Sequence, residues 1–399
     1  MRPCLLTIQS VLLTIVLVLY EVHSFRWLGI NSTLVDESNE RDLRRYLCSS
    51  SPTANRNRLL DKEQKKICRR RTRFMKYVVT AAELARSECL RLAKYERWDC
   101  TGVLQAPKFS KDLRVGTRQA AFLHALSSAA LVFAVTRSCA ADKACDCGKQ
   151  PSRSLLDRYA EAVERKNPGQ PRKTYRYEGC HDNIHTGLKF SKDFLDRREK
   201  RLKKPASRKI LNLHNYDLGR KVVRESLNAT CRCPGFGVGS CAQELCVQLL
   251  VVPFSKISEE IFDRYKQARL VTLSKRNAVL KIKNNGNNER RARKVKSGEM
   301  AYLYGSRDFC LPDPTNPHKK PGTRGRVCAQ RLKFDARNLI KFNPDLPDRF
   351  DVCGNLCCGR GYSIVNNTKK VNCRCRFSTS RWKLICTKCS VPATVSICN

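Results

Sequence analysis

The sequence predicts an α+β protein: a mainly helical N-terminal domain carrying a disulfide-stapled hairpin, then a small cysteine-rich β-hairpin domain. Three observations predict it. The first two thirds of the chain hold long stretches with few breakers and helical apolar spacing, whereas the last hundred residues hold short β-branched runs and turn residues. Cysteines crowd into close pairs in both parts, CRCPGFGVGSCAQELC at 231–246 and Cys373, Cys375, Cys386 and Cys389 further on. The chain also opens like a secretory leader. Arg2 is followed by the uncharged run VLLTIVLVLY from Val11, and Val22 and Ser24 satisfy the small-residue rule for cleavage after Ser24. The apolar run is too short to span a membrane comfortably as an anchor.

Cleavage would remove 24 of 399 residues and leave 375, long for a single core, so two domains are expected. Of 23 cysteines, Cys4 would depart with the leader, and the even remainder of 22 suits disulfides in an oxidising compartment, with no thiol spare. The net charge of +42 favours polyanionic partners through steering and counterion release. For a secreted chain these are sulfated glycosaminoglycans and anionic membrane surfaces rather than nucleic acid.

Residues 25–75 are polar and basic, with Cys48 and Cys68 as their tie. A helix is expected over 76–95, where Leu84, Leu92 and several alanines recur. A second, over 117–138, contains QAAFLHALSSAALVFAVT from Gln119; His124, Ser127 and Ser128 favour a buried core helix over a membrane span. SLLDRYAEAVERK follows, with the Ser154 hydroxyl placed to cap it. The stretch from Asp182 sets Ile184, Leu188 and Leu195 near one face, the stretch from His214 sets Leu218 and Val222 one turn apart, and a sixth helix covers 256–268. The helical domain thus spans 25–274. Lys275 to Glu299 is basic, Asn-rich and without apolar periodicity, which reads as a linker. Residues 300–399 hold ten cysteines between Cys310 and Cys398 and are expected to be a domain that stands on its disulfides.

Cys231 and Cys233, two apart, share a face if they lie on a strand. Nested bridges, Cys231–Cys246 outside and Cys233–Cys241 inside, would make a rigid finger. Cys373–Cys389 and Cys375–Cys386 allow the same arrangement, each bridge contributing about 2–4 kcal/mol. The same spacings are compatible with zinc, but the leader and the even cysteine count favour disulfides, and no metal is expected. GFGVGS lacks the preceding strand, following helix and glycine spacing of a phosphate loop. GCHDN, from Gly179, sets a His-Asp pair beside a cysteine, as in secreted phospholipases. No glycine-rich calcium loop accompanies it, and helix capping by Asp182 is the expected role. None of the six histidines lies in a recognisable catalytic arrangement, no catalytic residues are predicted, and the chain is not expected to be an enzyme.

Several motifs resemble the Wnt family of secreted signalling ligands. CLRLAKYERWDC (from Cys89), GTRQAAFLHALSSAALVFAVTRSC (from Gly116), YEGCHDNIHTGLKFSKDFLDRRE and NLHNYDLGRKVV come first. DFC (from Asp308), GTRGRVC (from Gly322) and LCCGRGY (from Leu356) follow in family order. The resemblance implies a disulfide map: Cys48–Cys68, Cys89–Cys100, Cys139–Cys145 and Cys147–Cys180 in the helical domain, Cys231–Cys246 and Cys233–Cys241 in the first finger. In the second domain it implies Cys310–Cys358, Cys328–Cys353, Cys357–Cys398, Cys373–Cys389 and Cys375–Cys386. It makes the first finger a thumb whose serine, here Ser240, carries a palmitoleoyl ester added by a Porcupine-type acyltransferase; no other cofactor is implied. The acyl chain would enter the cysteine-rich domain of a Frizzled receptor, with Phe236, Val238 and Gly239 beside it. Phe377, Arg381 and Trp382 of the second, index-like finger would grip the same receptor. An LRP-type co-receptor and a Wntless-type carrier are further implied partners. The chain departs from the family where Pro234 replaces a histidine, where the loop before Ser240 is one residue longer, at Tyr177 and Val247 where tryptophan is usual, and at STSRW from Ser378, where two adjacent cysteines are usual.

Sequons at Asn31, Asn228 and Asn366 are candidate glycosylation sites. Basic runs from Lys65, Arg197 and Glu289 are solvated faces that together suit heparan sulfate proteoglycans in the extracellular space and matrix. RREKR, from Arg197, also has the composition of a processing site, against which its place at the end of a predicted helix argues. The alternative to a signalling ligand is a heparan-sulfate-binding matrix protein on the same scaffold.

Overall fold

The computed structural model describes residues 25–32, 39–49, 59–107, 109–169, 173–202, 205–233, 243–274, 278–283, 293–313, 322–328, 352–378 and 383–399. The leader expected over residues 1–24 lies outside them. Internal contacts divide the chain into two units, Met1–Arg91 with Thr101–Ser306, and Leu92–Cys100 with Arg307–Asn399.

The first unit is built on helices α1 (Lys62–Arg70), α2 (Met75–Ala93), α3 (Arg118–Ser138), α4 (Arg153–Lys166), α5 (Ile184–Ser191), α6 (Ala206–Glu225) and α7 (Phe254–Lys266). The centre is α3. Thr117 caps it by accepting from the Ala120 N–H at 3.2 Å. Its sequence is apolar on every side, and its most apolar stretch is 94% buried, so it is the core helix expected rather than a membrane span. Helix α6 crosses it at Gly219, where a Cβ would stand 2.0 Å from the Ala125 carbonyl oxygen, so only glycine permits the approach. There the Ser128 hydroxyl donates to the Tyr216 carbonyl at 2.8 Å. Phe262 and Tyr265 of α7 meet the Phe122 ring at 5.4 and 5.3 Å between centroids. Arg220, buried, forks onto Asp196 at 3.0 and 3.1 Å.

Several local expectations are corrected. Ser152 occupies the cap position of α4, so Ser154 lies inside the first turn. Asn183, not Asp182, caps α5, its side chain accepting from the Thr186 N–H at 2.9 Å. Helix α6 starts at Ala206, ahead of His214. The segment after the leader is more than a polar stretch with one tie: Phe25, Trp27, Leu28 and Ile30 are fully buried, and the Trp27 ring meets Phe194 edge-on at 5.8 Å. Helix α1 carries an Asp61/Gln64 capping box. The four apolar residues Phe25, Trp27, Leu28 and Ile30 fall within six positions, a run too short to give a periodicity to read. Within RREKR, Arg198 and Glu199 are buried, which disfavours cleavage in the folded chain.

Strands β1 (Thr174–Tyr177), β2 (Asn228–Arg232) and β3 (Gln243–Leu249) form a sheet in the order β1-β3-β2, and β4 (Arg269–Leu273), β5 (Leu280–Ile282) and β6 (Ala301–Tyr302) one in the order β5-β4-β6. The second sheet lies across the stretch read as a linker. Leu280, Val295 and Ala301 join Leu211 and Val271 in one cluster, so the described parts of 275–299 belong to the first unit, which extends to Ser306. Two buried residues suffice to tie that stretch down, too few to give a pattern.

In the second unit β7 (Val327–Cys328), β8 (Tyr362–Ser378) and β9 (Lys383–Cys398) take the order β7-β9-β8. Its core is mostly sulfur: Cys328, Cys353, Cys357 and Cys398 pack with Leu356. Residues 92–100 join this unit because Arg326 donates to the carbonyls of Lys94, Glu96 and Arg97 at 2.8, 2.8 and 3.0 Å, and Arg97 to that of Asn355 at 3.0 Å.

Candidate functional site

The two stapled hairpins are the features the fold presents. In the first, β2 and β3 pair antiparallel from Asn228↔Leu249 to Arg232↔Leu245, which sets Cys231 opposite Cys246 with Cα atoms 4.0 Å apart and bridged. The root is anchored in the first unit. Strand β1 pairs parallel with β3, from Thr174↔Gln243 to Tyr177↔Cys246. Below the sheet, Leu156 of α4 packs with Tyr177, Ala229 and the buried Cys246. Tyr159 meets Tyr175 edge-on at 5.4 Å, and Lys173 pairs with Glu244 at 2.8 Å. Cys233 is disulfide-bonded. Phe236, Val238, Gly239, Ser240 and Cys241 lie outside the described residues, so what the structure supplies is the base on which that loop stands.

The His-Asp pair of GCHDN turns out to be a joint for this base. Just after the Cys147–Cys180 bridge, the His181 Nδ1 accepts from the Gln248 N–H at 3.1 Å, and the Asp182 N–H donates to the Gln248 carbonyl at 3.0 Å. The Asp182 carboxylate accepts from the Leu250 N–H at 2.7 Å. Burial holds the His181 pKa below its ordinary value and pushes that of Asp182 up. Both side chains are thus engaged with the backbone at the end of β3, a supporting role that the lone motif did not reveal.

The second hairpin is longer and barer. β8 and β9 pair from Tyr362↔Cys398 to Ser378↔Lys383, with one irregularity between Cys373 and Arg376. There Arg374 takes a positive φ of 46°. Two bridges flank it, Cys373–Cys389 and Cys375–Cys386, the latter with Cα atoms 4.0 Å apart. The backbone of Phe377 lies in β8, opposite Leu384; Arg381 and Trp382 lie outside the described residues. Asn366 sits exposed in β8, Asn228 exposed at the start of β2, and Asn31 half-buried beside the N-terminal turn.

The other bridges are Cys48–Cys68, Cys139–Cys145, Cys310–Cys358, Cys328–Cys353 and Cys357–Cys398, all with the pairing that the resemblance implies. Cys89 and Cys100 are also oxidised. Among the described residues the sulfurs of Cys328, Cys357 and Cys398 approach one another closely enough for a metal, but all three are held in bridges and offer no thiolate.

A family model described as the wnt family matches residues 56–399. Protein Wnt-11b-1 of Xenopus tropicalis is 31% identical over 353 residues, covering 86% of this chain and 88% of that protein. Protein Wnt-5b of Xenopus laevis is 27% identical over 363 residues, covering 89% of each. Among solved structures, that of human WLS in complex with WNT8A aligns at a TM-score of 0.53 and 24% identity, covering 82% of this chain and 95% of that one, a likeness of fold.

Proposed function

The chain belongs to the Wnt family of signalling ligands, and from that premise we propose that it is a secreted, glycosylated morphogen that carries a palmitoleoyl ester on Ser240 and binds Frizzled receptors. The observation that carries the reading is the first hairpin: a bridged pair of strands rooted in the helical core, with Ser240 next to Cys241 in the stretch of sequence that joins them. A rigid root lowers the ordering cost of presenting the loop to a receptor. The acyl chain supplies apolar contact worth about 0.8 kcal/mol per buried methylene before ordering costs. The second hairpin would add an independent grip, making the engagement bivalent. An LRP-type co-receptor, a Porcupine-type acyltransferase and a Wntless-type carrier complete the proposed partners. The solved WNT8A structure, a complex with WLS, supports the last of these.

Peptide mass spectrometry of secreted protein tests the mechanism: the Ser240 peptide carries the acyl mass, and Ser240→Ala abolishes binding to a Frizzled cysteine-rich domain. Unchanged binding by that variant rules out the acyl anchor. A second reading, a heparan-sulfate-binding matrix protein without receptor signalling, is favoured by the net charge of +42. It wins if wild-type protein binds heparin but no Frizzled domain.

A further inference from the structure

We propose that a concavity in the first unit, formed by Lys221, Lys294 and Lys296 around the Ser297–Gly298 turn, is a binding site for a sulfated glycosaminoglycan segment. The proposal rests on the polyanion affinity proposed above and gives it an address. The concavity has a volume of about 680 Å³ and is lined by Lys221 of α6 and residues Lys294–Glu299. It is a shallow depression open to solvent, a shape that admits an extended chain.

The lysines point outward for a structural reason. Val295 donates its N–H to the Leu280 carbonyl at 3.1 Å and buries its side chain with Leu211, Val271 and Ala301. Lys294 bridges Lys281 across the strands. Side chains alternate along such a paired segment, so pegging Val295 inward turns Lys294 and Lys296 to solvent, and both are exposed. The turn beyond them is fixed from several sides. Arg264 donates to the Gly298 carbonyl at 2.7 Å, His214 Nε2 to the Glu299 carbonyl at 2.7 Å, and Lys221 to the Ser297 hydroxyl at 3.3 Å.

The one carboxylate in the lining does not cancel the field. Glu299 is forked by Arg293 at 3.0 and 2.6 Å and accepts from the Lys296 N–H at 2.9 Å. Lys221 has Glu225 at 3.7 Å, while among the described residues Lys294 and Lys296 have no carboxylate within ion-pair distance. By contrast, the cations of α7 are matched on their own helix, Arg264 with Glu260 at 2.5 Å and Lys266 with Asp263 at 3.9 Å. Several ammonium groups on a fixed concave wall suit an anion with repeated sulfates, each taken as a point charge. A sulfated chain is favoured over a lipid headgroup because, among the described residues that line the wall, there is no exposed apolar side chain to enter a bilayer.

The test uses full-length secreted protein on immobilised heparin oligosaccharides over graded salt, with Lys294→Gln/Lys296→Gln as the site variant. Lys149→Gln/Arg153→Gln is the control, removing equal charge from an exposed segment elsewhere. The expected result is an approximately tenfold loss of heparin affinity at physiological salt for the site variant, with the slope against log salt reduced by roughly one to two, and less than about twofold loss for the control. A sulfated tetrasaccharide should also slow chemical acetylation of Lys294 and Lys296 but not of Lys149. Equal losses in both variants, with wild-type binding intact, overturn the site and leave the polyanion affinity diffuse. Failure of wild-type protein to bind heparin at all overturns the affinity itself. Equal loss of binding to phosphatidylserine vesicles by the site variant overturns the glycan assignment in favour of a lipid headgroup.

Discussion

The two hairpins share a cysteine arrangement and differ in what holds them. The first has β1 paired along β3 as far as Cys246, a helix beneath the sheet and Cys246 wholly buried, whereas the outer neighbour of β9 in the second, β7, pairs only with Ser396 and Ile397 at its end. The second is a long ribbon whose described side chains in β8 are largely exposed, with Ile364 at 64% and Val365 at 43%. Its staples replace a core. Burial of apolar surface and cross-linking are alternative routes to rigidity: the first lowers the free energy of the folded state, the second removes freedom from the unfolded one. The comparison teaches that the same C-x-C spacing can mark a hairpin that is part of a core and one that projects from it.

The contrast predicts unequal sensitivity to substitution. Leu156→Ala should cost about 2–5 kcal/mol in the first unit and loosen the first hairpin, because it hollows the cluster under Cys246. Hydrogen exchange should show β2 and β3 losing protection while β8 and β9 keep theirs; equal loss in both hairpins would break the contrast. Replacing all four of Cys373, Cys375, Cys386 and Cys389 by alanine should do the reverse. Each bridge closes a short loop, of separation 16 and 11, worth about 3 kcal/mol. The distal ribbon should then lose exchange protection with the thermal transition of the first unit unmoved.

A smaller effect is the pH dependence that His181 adds at the first hairpin's root. His181 has its pKa lowered by burial, so the folded state favours the neutral ring. The unfolded chain therefore binds the extra proton more readily, and the stabilisation present above the ordinary histidine value is lost as pH falls through the lowered one. Protonation also removes the acceptor that takes the Gln248 N–H. Chemical denaturation between pH 7 and 5 should show a slope that His181→Asn flattens. The smallest effect is expected for Ile364→Ser, which should change stability by less than about 0.5 kcal/mol, since that side chain is already in water. A loss above 1 kcal/mol would mean the ribbon has a packed face.

Much of this molecule was legible in its sequence. Helices α2, α3 and α7 declare themselves through spacing and composition over three or more turns, and the even cysteine count together with a leader points to disulfides before any coordinate is known. Within the candidate site, the C-x-C pairs could be read directly, because cross-links are local chemistry, whereas the role proposed for Ser240 rests on the family resemblance. What remained hidden depends on partners distant in the chain. Asp182 looked like a helix cap, since its real acceptor role is toward Leu250, 68 residues away. Trp27 and Leu28 lie in an apolar run too short to show a period, and only their packing shows them to be core. Residues 293–299 read as part of a linker, yet one buried valine turns two lysines outward beside a third from α6. Local propensity and covalent chemistry are written along the chain. The burial of a single side chain, and the direction it forces on its neighbours, is settled only when distant segments meet.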